Sequence, residues 1–326
     1  MKNLLLSKQK LDSNWINCSI GEPYIVRKTL LETIDLPHSL EYDFTYPCSG
    51  GYEPLVAFLE KKHNGRVVIT NGAKQALSAV FAIMASRSIH SCYLKTPYWT
   101  LIPPLASLYG VTTDSHKPEY GGVVTVAPNN PDGFLPSKEW LLMFSKHCKD
   151  SGLFHIHDAV YYNNIYTSPE YEKVKFGDCQ IYSFAKLWGL SGLRVGYIVC
   201  EDDNLYDAVR DYIEATTSGV SLVAQEFALD IAKSLEPKEE LFMTKARNIL
   251  LRNRDKAEEI NPEVLSISPN RNGMFLWAKK GSKLDLEKAK INAIDGEHFG
   301  APGYIRLNLG IEMEVMDEVI RRLNEK

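Results

Sequence analysis

The run Ser183–Tyr197, SFAKLWGLSGLRVGY, decides how the rest of the chain is read. It sets Lys186 and Arg194 in an otherwise apolar stretch punctuated by glycine. An ammonium in apolar surroundings loses hydration, so its pKa falls and the neutral amine becomes available to form a Schiff base with an aldehyde. Lys186 is the candidate for that chemistry. Ser183 and Arg194 flank it with a hydroxyl and a planar guanidinium, the donors that a phosphate monoester requires. By itself the stretch is also compatible with a buried turn holding two cations whose stems lie along apolar surface. The choice between the two rests on its neighbours.

A chain of 326 residues exceeds the length over which one core usually extends, so two domains are expected. Hydrophobic residues at 44% and charged residues at 24% exclude a disordered or membrane class. The net charge of -4, from 37 basic and 41 acidic residues, argues against a nucleic-acid partner, because no basic excess exists to displace counterions. Cys18, Cys48, Cys92, Cys148, Cys179 and Cys200 form no CxxC pair, which suits reduced thiols and a cytoplasmic protein. Leu4–Leu6 is too short for a signal-peptide core, and no run reaches transmembrane length. No metal is expected: His155, His157 and Asp158 lack a third ligand at a recognisable spacing.

Upstream of the lysine stretch, short strands each deliver a polar or aromatic residue. Residues 66–70 form a β-branched run ending in Asn71-Gly72, after which Ala73, Ala76, Leu77, Val80, Phe81 and Met84 repeat as one helix face. Strand, glycine turn and helix N-terminus make an anion site from the backbone N–H groups of Gly72, Ala73 and Lys74. No GxGxxG or P-loop pattern accompanies it, so a dinucleotide or nucleoside triphosphate is not supported. The strand 92–95 leads to Tyr98 and Trp99, aromatics that can cover a flat heteroaromatic ring by stacking or plug a domain interface. The strand 122–126 runs into the turn APNNPDG, and the strand ending at His157 delivers Asp158, with Tyr161 close behind.

Two further strands, 179–183 and 195–200, bracket Lys186. Helices over 205–216, 220–235 and 239–259 follow, then strands at 273–277 and 304–310 and a last helix over 312–323. Arg306 interrupts an apolar strand, where a guanidinium can grip a carboxylate with two parallel hydrogen bonds or form an interdomain salt bridge. Near the N-terminus, Ser19–Pro23 is a compact turn, and 46–60 joins a Gly-rich turn to a short helix. Most candidates lie just after a strand, where open α/β sheets bind ligands.

These motifs, in this order and across most of the chain, resemble the class I/II aminotransferases, fold-type I enzymes that use pyridoxal 5'-phosphate (PLP). The resemblance implies an α/β fold: a large domain with a mostly parallel sheet between helices, and a smaller α/β domain. The expected division is 41–205 for the large PLP-binding domain, with 1–40 and 206–326 as a discontinuous small domain. By the same resemblance Lys186 carries the cofactor, TNGAKQAL forms the phosphate cup with Ser183 and Arg194, and Trp99 stacks on the ring. Asn130 and Tyr161 bond the phenolic oxygen, and Asp158 holds the pyridine nitrogen. Arg306 in the RLxxG strand binds the substrate α-carboxylate, and Gly21 in the GEP turn approaches it. Tyr46 reaches the phosphate of the partner subunit's cofactor, which implies a homodimer with shared sites.

The expected function is ping-pong transamination of an amino acid through a Lys186 Schiff base. The alternative is an amino-acid decarboxylase or lyase of the same fold. Ala159 stands where many relatives carry Glu, and Leu187-Trp188 stands where small hydroxyl residues and Phe are common. These departures bear on reaction type and substrate rather than on cofactor binding.

Overall fold

The structure is a computed structural model, in which residues 14–18, 24–34, 47–115, 121–164 and 175–325 are described. Strand β1 (Ile16–Asn17) and helices α1 (Tyr24–Thr33) and α2 (Glu53–His63) come first, and β2 (Arg66–Thr70) leads into α3 (Gly72–Ser86). Strands β3 (Ser91–Leu94) and β4 (Thr112–Asp114) flank α4 (Ile102–Ser107), and β5 (Gly122–Val126) crosses through α5 (Lys138–Asp150) to β6 (Phe154–Asp158). Strands β7 (Cys179–Ser183) and β8 (Gly196–Cys200) flank the single turn α6 (Phe184–Leu187). Then come α7 (Asp203–Thr217), α8 (Leu222–Leu235) and α9 (Glu239–Lys256). The chain closes with β9 (Leu265–Ile267), β10 (Phe275–Lys280), α10 (Leu286–Ala289), β11 (Ile291–Asn292), β12 (Ile294–Asp295), β13 (Tyr304–Asn308) and α11 (Met313–Asn324).

One sheet carries the order β2-β8-β7-β6-β5-β3-β4. Its pairings from β7 to β4 are parallel, while β8 runs antiparallel to both neighbours. Strands β6, β7 and β8 are buried along their whole length, as strands covered by helices on both faces must be. Helix α3 lays Ala76, Leu77, Val80, Phe81 and Met84 into the core, against β7 and β8. Helix α7 packs on α3 and β2, and α8 packs on α2. A second, antiparallel sheet has the order β12-β13-β10-β9, and β1 pairs with β11. The edge strand β4 was not expected from sequence. Its residues TTD are largely exposed and carry no apolar alternation.

The two histidines of β6 share one face and are satisfied there. Thr125 Oγ1 lies 2.8 Å from His155 Nε2 and 2.9 Å from His157 Nδ1, and Ser145 Oγ lies 3.2 Å from His155 Nδ1. Burial lowers both rings, His155 to about 4 and His157 to about 3, so each is neutral near pH 7.

The register explains where the site forms. Thr70 at the end of β2 and Ser183 at the end of β7 both pair with Gly196 at the start of β8. Val126 pairs with Asp158, so the carboxyl ends of β2, β5, β6 and β7 open on one edge of the sheet. Because Leu77 is fully buried in the layer that holds α3 to this edge, Leu77→Ala is expected to lower unfolding free energy by about 2–5 kcal/mol. A denaturant midpoint equal to that of the parent would contradict this placement.

Candidate active site

The first wall of the site is the turn between β2 and α3. Gly72 takes φ +70, a conformation natural to glycine, and an ideal Cβ there would stand 2.6 Å from Arg194 Nη2. The Arg194 guanidinium therefore lies directly on the turn. Its Nη1 donates to the Ser191 carbonyl at 3.0 Å and its Nη2 to the Asn71 carbonyl at 3.3 Å. Helix α3 begins here, so the amides of Gly72, Ala73 and Lys74 belong to its first turn, whose N–H groups have no intrahelical acceptor. Gly72, Ala73, Lys74 and Arg194 are thus brought together into a basic, donor-rich cup.

Ser183 sits across from Gly196 and caps α6: its Oγ accepts the Ala185 N–H at 3.3 Å and still carries a hydroxyl proton to donate. Lys186 is half-buried on that same turn. Trp99 borders the cup as well, with Lys74 Nζ 5.7 Å from its ring centroid, within cation–π range.

A buried polar chain lies just past the carboxyl ends of β5 and β6. Arg306 Nη1 donates to Asn130 Oδ1 at 2.9 Å, and Asn130 Nδ2 donates to Tyr161 Oη at 3.0 Å. The two bonds join β13 of the smaller sheet to the turns after β5 and β6. Burial raises the Tyr161 hydroxyl far above its ordinary range, so it remains a protonated donor. Burial lowers Arg306 to about 10, which leaves the guanidinium charged near neutral pH. Asp158, at the end of β6, is pushed up to about 6 by burial, although the Val160 N–H donates to its Oδ1 at 3.0 Å and opposes the shift. A buried carboxyl of this kind is stabilised by a cation, and the protonated nitrogen of a heteroaromatic ring supplies one.

Three features carry no signal in the sequence. Phe275 and Phe299 place ring centroids 4.0 and 5.0 Å from Arg306 Cζ, yet each looks like ordinary core. Gly196 is the third: an ideal Cβ there would meet the Tyr182 carbonyl oxygen at 2.7 Å and the Ala73 nitrogen at 2.9 Å. Only an alignment of relatives or the fold itself would single these out. Gly21 and Tyr46 lie outside the described residues. Among the described residues no group of three or more His, Cys, Asp or Glu could hold a metal ion.

Residues 112–323 match the family model for aminotransferase class I and II. A probable aspartate/prephenate aminotransferase of Aquifex aeolicus is 28% identical over 79% of this chain and 75% of its own length. A tryptophan aminotransferase-related protein 3 of Arabidopsis thaliana is 25% identical over 99% of this chain and 80% of its own. Among solved structures, aspartate aminotransferase from Thermotoga maritima aligns with a TM-score of 0.76 at 23% identity, covering 99% of this chain and 93% of that one. The Thermus thermophilus aspartate aminotransferase with maleate aligns with a TM-score of 0.80 at 19% identity, covering 99% and 94%.

The Asp158 shift has a definite sign. Its folded value of about 6 lies above the ordinary 3.8, so the unliganded protein holds the extra proton between these values and loses stability as pH rises through that window. Asp158→Asn carries no such charge. In the absence of ligand it is expected to match the parent near the lower end of the window and to exceed it by up to about 3 kcal/mol near pH 7. Thermal midpoints across that range test this, and a gap that does not widen with pH would refute it.

Proposed function

The chain belongs to the aminotransferase class I and II family, and from that membership we propose how its own residues divide the work of the reaction. It is a PLP-dependent enzyme of fold-type I that acts on amino acids. The residues present fit the cofactor. The Gly72 cradle beside Arg194 matches a phosphate dianion, and the buried Asp158 carboxyl matches a pyridinium nitrogen. Bound PLP supplies an electron-withdrawing ring that takes up the electron pair left when a bond at the substrate's α-carbon breaks.

Lys186 is assigned the covalent anchorage and, once displaced by the substrate amine, the transfer of the α-proton as base and then as acid. Gly72, Ala73, Lys74, Ser183 and Arg194 bind the phosphate. Trp99 covers the ring, while Asn130 and Tyr161 donate to the phenolic oxygen. Arg306 receives the substrate α-carboxylate, which its burial favours, because a carboxylate is the partner that offsets a desolvated guanidinium. The observation that carries this reading is the hydrogen-bonded chain from Arg306 through Asn130 to Tyr161, which joins a carboxylate donor to a phenolic-oxygen donor within one wall. By analogy with the relatives' names, acidic and aromatic L-amino acids are the first substrates to consider.

Several assignments rest on the family resemblance alone. These are Gly21 beside the carboxylate, Tyr46 contributed across an interface, and the homodimer that such sharing requires. A cytoplasmic home is supported by six dispersed cysteines that form no disulfide pair. The packing of α7 and α8 on α3, β2 and α2 supports extending the larger domain from 205 to the end of α8.

Purified protein loaded with PLP and mixed with L-aspartate, L-glutamate, L-phenylalanine, L-tyrosine or L-tryptophan is expected to release the matching keto acid and to return the amino group to a second keto acid. Carbon dioxide or a side-chain fragment in place of the keto acid would overturn transamination. Lys186→Ala should lose at least about a hundredfold in turnover and form no borohydride-reducible adduct with PLP; a persistent adduct would move the anchor elsewhere. Sedimentation of the parent should give about twice the 36.8 kDa chain mass, and a monomer would remove the shared-site arrangement.

A further inference from the structure

Phe299 contacts both Arg306 and the segment that carries Trp99. It ends the single turn Gly296–Phe299 and is fully buried. Its ring lies 5.0 Å from Arg306 Cζ, while Phe275 flanks the same guanidinium at 4.0 Å. Trp277 stands near-perpendicular to Phe299, with ring centroids 5.5 Å apart. The Phe299 carbonyl accepts the Tyr98 N–H at 3.3 Å, one residue before Trp99. Gly300 follows at φ +72, and an ideal Cβ there would sit 3.3 Å from the Tyr98 ring, so that ring rests close on the turn.

These contacts define a joint. Arg306 belongs to the smaller sheet, whereas Trp99 and Asn130 follow strands of the larger one. An α-carboxylate gripped by Arg306 must present its α-carbon at a fixed distance from the base, and rate depends steeply on that distance. Rings beside the guanidinium limit its rotation, and the cation–π attraction is strong where both groups are dry.

We propose that Phe299 is a positioning residue for the amino-acid substrate: its ring holds the Arg306 guanidinium ready for the α-carboxylate, and its carbonyl registers that clamp on Tyr98 beside Trp99. The proposal rests on the reading of Arg306 as the carboxylate donor. It concerns discrimination between substrates that carry the carboxylate and amines that lack it.

The test uses the PLP-loaded enzyme with the best amino acid of the five named above, its decarboxylated amine and its α-methyl analogue, which has no α-proton to lose and reports binding alone. Phe299→Leu keeps bulk but removes the aromatic face. It is expected to raise the KM of the amino acid and the Kd of the α-methyl analogue about tenfold, with kcat within about threefold and the Kd of the amine unchanged. Phe299→Tyr keeps the ring and should restore the parent values. Phe299→Met, close in volume, serves if the Leu variant does not retain PLP absorbance and a cooperative melt. Equal loss for acid and amine would mark a merely structural residue, and no loss for either would leave the ring without a role; both outcomes overturn the proposal. Arg306→Gln separates the two readings. If that variant keeps the preference for the acid over the amine, the carboxylate assignment fails; if it loses the preference while Phe299→Leu keeps it, only the Phe299 proposal fails.

Discussion

The whole anion cup depends on one close approach, the passage of β8 at Gly196 beneath the first turn of α3. Backbone atoms of Tyr182, Gly72 and Ala73 all stand within 2.9 Å of where a Cβ would be. Any side chain there would push β8 away from the helix and out of line with β2 and β7. Because Gly196 pairs with both Thr70 and Ser183, the same approach fixes where α3 begins, where α6 begins and where the Arg194 turn must fold back. The spacing of Lys186 and Arg194 follows from this geometry. The chain leaves β7 at Ser183, makes one helical turn with the lysine, and returns antiparallel through an arginine in the left-handed conformation at φ 57.

Around that scaffold the site concentrates charge in places that disfavour it. Asp158 and Arg306 shift in opposite directions from one cause, burial, which destabilises the ionised form of each. The neighbouring dipoles offset only part of that penalty. Asp158 has the Val160 amide, and Arg306 has the Asn130 oxygen and two aromatic faces. A cation beside Asp158 and a carboxylate beside Arg306 would each offset that penalty, so part of the free energy withheld from folding would reappear as affinity.

The fold class was legible because its signals are local and repeated. The helix face of α3 reads from a 3.6-residue period, and β5 and β7 are bounded in the sequence much as they are in the structure. The family was legible because short motifs recur in order along the chain. What stayed hidden is non-local. The edge strand Thr112–Asp114 is defined by its partner β3 and has no apolar face. The roles of Phe275 and Phe299 exist only once β10 and β13 pair and bring Arg306 beside them. The close approach at Gly196 carries no sequence signal either, because it comes from the Tyr182 carbonyl across the strand pair and from Gly72 and Ala73, more than a hundred residues earlier.

The departures from the family pattern near the lysine are absorbed by packing. Trp188 lies flat on Phe184, centroids 4.0 Å apart and planes 2° from parallel, and Phe184 leans on Tyr197, which stacks on Tyr182. Leu187 and Ala159 are buried in the same apolar core, and the Ala159 N–H donates to the Ile181 carbonyl. None of the three adds an ionisable side chain, so each alters the shape and polarity of the core around the lysine turn and leaves its charge as it is.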